Sequence, residues 1–162
     1  MPGPRELMNM EKTEIHGGDT KTSVRVLECV VVTPEATALE TPATFVVLPL
    51  FDGEIGIAPG HSPMIGRLGY GEMRITEGNQ VRRFYVDGGF VQVSGNVVSV
   101  LTNRSVPASD LDGSAAQTSL DEARGRDSNT PELMTIRDRA VAQARAQIRV
   151  ARRATSKSQP PQ

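Results

Sequence analysis

The sequence predicts a mainly β protein with an α appendage: an N-terminal antiparallel β-sandwich followed by a C-terminal two-helix hairpin. Three observations carry this. From Ser23 to about Thr102, short runs rich in Val, Ile and Phe follow one another with no helical period among them. Gly-Asn turns separate several of these runs at hairpin spacing. Beyond Pro107 the composition turns small and polar, and then becomes an Ala-, Gln- and Arg-rich stretch with apolar residues at steps of three and four.

Residues 1–20 are polar, broken by Pro2, Pro4, Gly17 and Gly18, and read as a disordered extension. They hold no apolar stretch of the kind a signal peptide needs. The sandwich domain is expected over 21–107. It opens with SVRVLECVVVTP, a Val-dense strand ending at Pro34, and continues with FVVLPL at 45–50. Cys29 lies in the first of these runs. As the one cysteine of the chain it rules out an internal disulfide, suits a reducing compartment, and reads as a small buried hydrophobe.

The segment FDGEIGIAPGHSP, 51–63, reads as a shaped loop, with Pro59-Gly60 as a turn and Pro63 holding the residue before it in extended geometry. Its Asp52, Glu54 and His61 leave two readings open at this point: an active site, or a surface offered to a partner. Next come two hairpins. EMRITE and QVRRFYV flank Gly78-Asn79, and GFVQV and VVSVL flank Ser94-Gly95-Asn96, tight turns that Gly and Asn can enter with positive φ.

Residues 108–117 read as a linker, and the helical hairpin is expected over 118–155. Its first helix is short: TSLDEAR, capped by Thr118 or Ser119 and stopped by Gly125. The second helix, 131–154, has Thr130 as cap and Pro131 at its first position. Leu133, Ile136, Ala140, Ala144, Ile148 and Ala151 form one thin apolar stripe, enough to lie on a surface but not to make a core. A helix of this kind must dock to hold its shape. Residues 156–162 read as a disordered tail.

The chemistry on offer is sparse. His61 is the one histidine of the body, His16 being in the extension, so a His/Cys metal centre lacks ligands. No nucleophile motif surrounds a serine, and the paired glycines are not followed by the Gly-Lys-Ser/Thr of a phosphate loop. No catalytic residue and no cofactor is expected. No apolar run approaches the roughly 20 residues of a membrane span. Net charge is −1, so the molecule as a whole is not built to bind polyanions. The second helix nonetheless concentrates Arg137, Arg139, Arg145, Arg149, Arg152 and Arg153. Guanidinium forks suit carboxylates and phosphates, so an acidic protein surface or a nucleic acid would satisfy them. A small β-domain adaptor with an Arg-rich helix that binds nucleic acid is therefore the competing reading, although the β-region shows no interleaved aromatic and basic platform for bases.

The order strand, GEIGIAPGHSP, GYGEMRI, hairpin, VDGGFVQV, NVVSVL and helical pair resembles the epsilon subunit of F-type ATP synthases. The pattern G-E-(I/L)-G-I-x-P-G-H-x-P lies at Gly53 to Pro63, and the later GGF at Gly88, Gly89 and Phe90; the resemblance spans about 23–154. It implies a non-catalytic rotor subunit that couples proton flow to ATP synthesis. The sandwich would grip the gamma subunit and sit on the ring of c subunits, with Glu54 and His61 as contact residues. The second helix, with Arg137, Arg145 and Arg149, would form an inhibitory arm that reaches an acidic segment of the catalytic beta subunits. The place implied is the cytoplasmic face of the cell membrane, held peripherally through the complex, without insertion and without nucleic acid.

Two departures stand out. The family's first helix is fuller than one interrupted by Gly113, Gly125 and Asn129. Some members bind ATP at (I/L)-D-x-x-R-A, and here Leu120, Asp121 and Arg124 match while Gly125 replaces the alanine. Asp121 and Arg124 are thus candidates for an ATP site, and as ordinary helix residues they would form an i,i+3 ion pair.

Overall fold

A computed structural model describes residues 25–157. The readings of 1–20 as an extension and of the last residues of the tail lie outside them. Strand β1, Leu27–Val32, alternates buried and exposed positions, with Leu27, Cys29 and Val31 facing inward. It is followed by β2, Thr37–Ala43, and β3, Phe45–Leu50, the latter matching FVVLPL. Part of the glycine-rich segment is not loop at all: Gly53–Ile57 is strand β4, paired antiparallel with β3 through Val46↔Ile57 to Leu50↔Gly53. Isoleucines at alternate positions support it, and Ile57 reaches the core.

The two hairpins form as the turns require. Strand β5, Met64–Glu77, pairs with β6, Gln80–Ser94, from Met64↔Val93 to Glu77↔Gln80. At Gly78-Asn79 only Gly78 has positive φ, +59°, which is the II′ pattern. At Gly95-Asn96, which leads into β7, Val97–Leu101, both residues are left-handed at +56° and +64°, the I′ pattern. Strands β5 and β6 are far longer than the short runs that signalled them. They turn a corner where Gly69 and Gly88 drop out of the ladder between Leu68↔Gly89 and Tyr70↔Asp87. Side chains there would collide: a Cβ on Gly89, at φ +106°, would run into the Leu101 carbonyl.

The strand order is β2-β1-β7-β6-β5-β3-β4, with the short β8, Ser105–Pro107, on β6. The expectation of an antiparallel sandwich needs one correction: β1 and β7 pair in parallel, Glu28↔Val97 to Val32↔Leu101. The sheet folds over so that β2 meets β5, where Thr41 Oγ1 donates to Glu77 Oε1 at 3.0 Å and Thr44 N to Thr76 O at 2.8 Å. A single core of Val, Leu, Ile and Met, drawn from β1 through β7, fills the interior.

The helices begin earlier and end later than expected. After a 3₁₀ turn at Ala108–Asp110, α1 runs Gly113–Arg124, so half of the presumed linker is helical. Its cap is Asp112, not Thr118 or Ser119. Asp112 Oδ1 accepts from Ser114 N at 2.9 Å and from Ala115 N at 3.2 Å. The Ser114 hydroxyl also donates to this oxygen, at 2.6 Å, and it, followed by the two backbone donors, holds the Asp112 carboxyl below its ordinary pKa. Gly125 stops the helix as read. Helix α2 runs Pro131–Lys157, with Thr130 Oγ1 accepting from Leu133 N at 3.3 Å, and takes in the first residues of the expected tail.

Candidate functional site

Two faces of α2 are used, and the sequence shows only one of them. The stripe through Ala140, Ala144, Ile148 and Ala151 has the spacing of one continuous face, and a Cβ on Gly113 of α1 would sit 3.7 Å from Ala151 Cβ. Its first members, Leu133 and Ile136, are exposed. The second face is Gln143, Ala146, Gln147, Val150 and Ala154, again at steps of three and four, and it lies on β5 and β6. Ala146 and Val150 cluster with Tyr85 and Ala108, and Tyr70, Leu111 and Ala154 close the rim.

Polar contacts fix this docking. Tyr85 is fully buried, and its hydroxyl donates to Asp87 Oδ1 at 3.1 Å. Gln143 Nε2 donates to the same oxygen at 2.9 Å. Gln147 also bonds the Tyr85 hydroxyl. Burial, and then the Asp87 charge, push the Tyr85 phenol well above its ordinary pKa. Beside it, Glu72 is buried under the helix. Its Oε1 accepts from Arg83 Nη1 at 2.7 Å and from Arg74 Nη1 at 3.2 Å, and Arg153 Nη1 of α2 stands 3.9 Å away. Burial works against the Arg74 charge, but its bonds to Glu54 and Glu72 outweigh this, and its pKa is raised. Sequence reasoning missed Glu72, Tyr85, Asp87 and both glutamines, because alternation within EMRITE marks Glu72 as solvent-facing, whereas that face of the strand is covered by the helix and by Arg74 and Arg83.

The residues singled out from sequence are dispersed. Glu54 projects from edge strand β4 and pairs with Arg74. His61 lies past the strand, in a turn where its N–H donates to Ala58 O at 3.1 Å. Its ring Nδ1 lies 2.7 Å from the Ser62 carbonyl oxygen. Gly60 N donates to Asn96 Oδ1 at 2.7 Å, tying this turn to the β6–β7 turn. The two side chains thus have separate partners and form no catalytic pair. Among the described residues no group of three or more His, Cys, Asp or Glu is placed to hold a metal ion.

The arginines of α2 divide by role. Arg137 is spent locally, donating to Ser128 Oγ at 2.8 Å and pairing with Asp138 at 3.2 Å, which secures the connection between the helices. Arg145 and Arg149 are exposed. With Arg67, Leu50, Phe51 and Tyr70 they line a cleft of about 420 Å³ whose walls include no acid. Asp121 and Arg124 are exposed on α1, but the expected ion pair between them is not made: Asp121 Oδ1 accepts from Gln117 Nε2 at 3.2 Å. Among the described residues no helix is long and apolar enough to cross a membrane.

One further surface emerges from the register. Arg67, Phe90 and Leu101 stand opposite one another across β5, β6 and β7, and Ile65 is one step along the same face as Arg67. Ile65 is 75 % exposed, Phe51 71 %, Phe90 57 % and Leu101 50 %. The Arg67 guanidinium lies 4.7 Å over the Phe51 ring. Large apolar side chains grouped on the outside of a small domain mark an interaction surface. The FVQV alternation was the available signal: with Val91 and Val93 inward, Phe90 must face out.

Residues 26–108 match the family model for the β-sandwich domain of the ATP synthase Delta/Epsilon chain. The ATP synthase epsilon chain of Rhodopirellula baltica is 51 % identical over 126 residues, covering 78 % of this chain and 98 % of that one. That of Desulfitobacterium hafniense (strain DSM 10664 / DCB-2) is 39 % identical over 123 residues, covering 72 % and 92 %. The fold is also found in cryo-EM structures of mitochondrial ATP synthases. A chain from Euglena gracilis matches with a TM-score of 0.67 at 19 % identity, covering 96 % of both chains. One from Tetrahymena thermophila matches with a TM-score of 0.63 at 14 % identity, covering 77 % of this chain and 96 % of that one. With the sandwich, the helical pair docked on it and relatives matched over most of their length, the chain belongs to the family of ATP synthase epsilon chains.

Proposed function

We propose that this chain is a non-catalytic central-stalk subunit of an F-type ATP synthase, which couples proton flow to ATP synthesis and restrains ATP hydrolysis through its C-terminal helices. The observation that carries the docking part is the apolar face of Phe51, Ile65, Phe90 and Leu101. Left in water it would be a liability, and against the gamma subunit it becomes the centre of an interface. Edge strand β4 and the turn after it present Glu54 and His61 to the ring of c subunits.

The restraining part rests on the construction of α2. Its apolar contacts with the sandwich are few and Ala-rich, so it can leave without opening the main core. Arg145 and Arg149 carry no ion pair among the described residues and are available to carboxylates of the catalytic beta subunits. As a member of the membrane-bound complex the subunit would be peripheral, on the cytoplasmic face.

The test is reconstitution. Replacing Ile65 and Phe90 together by Asp is expected to abolish co-purification with gamma while the isolated chain stays folded. A chain ending at Asp112 is expected to still bind gamma and to raise ATP hydrolysis by the complex, and Arg145→Ala with Arg149→Ala to give a smaller rise. Hydrolysis unchanged by truncation at both low and high salt would refute the restraint. Retained gamma binding by the double Asp variant would refute the docking face.

A further inference from the structure

Glu72 is an incomplete site. Its side chain is 2 % exposed, and Oε1 gathers Arg83, Arg74 and, from α2, the more distant Arg153. Oε2 is buried and has no hydrogen-bond partner among the described residues. A buried carboxylate oxygen without a donor is unfavourable, and here the burial belongs to the docked arrangement, because the Tyr85–Val150 cluster next to Glu72 is made with α2. When the helix lifts, water can satisfy Oε2.

The donor that would complete the site is in place but engaged elsewhere. Arg74 bonds Glu72 through Nη1 and Glu54 through Nη2. Glu54 stands on edge strand β4 and is half exposed. Arginine and carboxylate favour a two-nitrogen, two-oxygen pairing, which Glu54 prevents by drawing off the second nitrogen.

We infer that Arg74, shared between Glu54 and Glu72, couples the state of Glu54 to the docking of α2. With Glu54 free, Oε2 is left orphaned beneath the helix and docking is weakened. When a cationic group of a partner takes Glu54, Arg74 closes on both oxygens of Glu72, and the docked helix is strengthened. Arg83 and the more distant Arg153 stay on Oε1, so the exchange needs only the Arg74 side chain to turn. This deepens the reading of the helices as a movable arm: contact at the edge strand would report to the arm through one guanidinium.

Hydrogen exchange on the isolated full-length chain tests the coupling without the assembled enzyme. The readout is protection of the α2 amides from Gln143 to Ala154, with the amides of the β6–β7 hairpin as the control for folding. Glu54→Gln is expected to raise α2 protection about tenfold, the order of one charge-assisted hydrogen bond. Arg74→Lys, which cannot fork, is expected to lower it, and Glu54→Gln in that background to add nothing. The inference is overturned if Glu54→Gln leaves α2 protection unchanged or lowers it, if the gain persists in the Arg74→Lys background, or if α2 exchanges only together with the hairpin. A failure of truncation to raise hydrolysis would remove the arm's inhibitory role and leave this exchange result untouched, so the two failures are separable.

Discussion

Gln143 and Asp87, 56 positions apart, are joined by a hydrogen bond of 2.9 Å that carries the second helix onto the sandwich. The same Asp87 oxygen accepts the hydroxyl of buried Tyr85. Removing the acceptor strands two donors at once. Asp87→Ala is therefore expected to weaken docking by about 1–3 kcal/mol, the range for a donor left unsatisfied in the interior. Gln143→Ala, which leaves the Tyr85 bond intact, should cost less. The check is α2 amide exchange in each variant, and equal effects would contradict the shared-acceptor arrangement.

Cys29 gives a pH signature. Burial first, and then the charge of Glu77, push its thiol up to about 12. An unfolded thiol loses its proton near the ordinary value of about 8.5, so above that pH the unfolded state binds fewer protons than the folded one. Stability is then fully present below about pH 8.5 and is lost as pH rises toward 12. Denaturant unfolding of the native chain across this window should show a decline that Cys29→Ala reduces. The native thiol should also react slowly with labelling reagents and quickly once unfolded.

Two glycines, one at the corner of β6 and one in the β6–β7 turn, separate two kinds of constraint. Gly89 and Gly95 both have positive φ, but a Cβ at Gly89 meets the backbone of Leu101 while one at Gly95 meets open space. Gly95→Ala is expected to cost about 1–2 kcal/mol, the left-handed penalty alone. Gly89→Ala must also push β7 away from β6, and should exceed about 4 kcal/mol or prevent folding. Thermal unfolding of the two variants side by side distinguishes them.

Truncation has an optical consequence. The main core lies between Leu27 and Val100, so a chain ending at Asp112 should keep the sandwich. It loses the helix that covers Tyr85. In a Tyr70→Phe background, where Tyr85 is the remaining phenol of the two tyrosines, its titration should fall from well above the ordinary range back toward about 10. An unchanged titration would mean that the helix is not what buries Tyr85.

What the sequence showed and what it hid follow from the range of the interactions. The β5–β6 and β6–β7 hairpins were legible because Gly78-Asn79 and Gly95-Asn96 impose their turns locally. Strand β4 was hidden by its two glycines, and its place beside β3 is decided by the pairing of Ile55 and Ile57 with Leu48 and Val46 rather than by glycine propensity. Asp112 was overlooked as a cap because Gly113 and Ser114 after it are poor helix formers, while its carboxylate satisfies two backbone donors. The docking face of α2 escaped a hydrophobic count because two of its five positions are glutamines. Glu72 looked like any outward acid of an alternating strand. The contact roles proposed for Glu54 and His61 rest on the family pattern and on no local signal.

The parallel ladder between β1 and β7 bears on how the chain folds as it is made. Leu27–Val32 leaves the ribosome early, but its central-sheet partner, Val97–Leu101, is synthesised some seventy residues later. The first strand can form only its hairpin with β2 until then, and a lone hairpin in water is marginal. Sheet closure is therefore a late, long-range event, the kind that slows folding and leaves apolar strands exposed in the meantime. Once Leu101 has emerged the sandwich can close, and the helices can then find a finished surface to settle on.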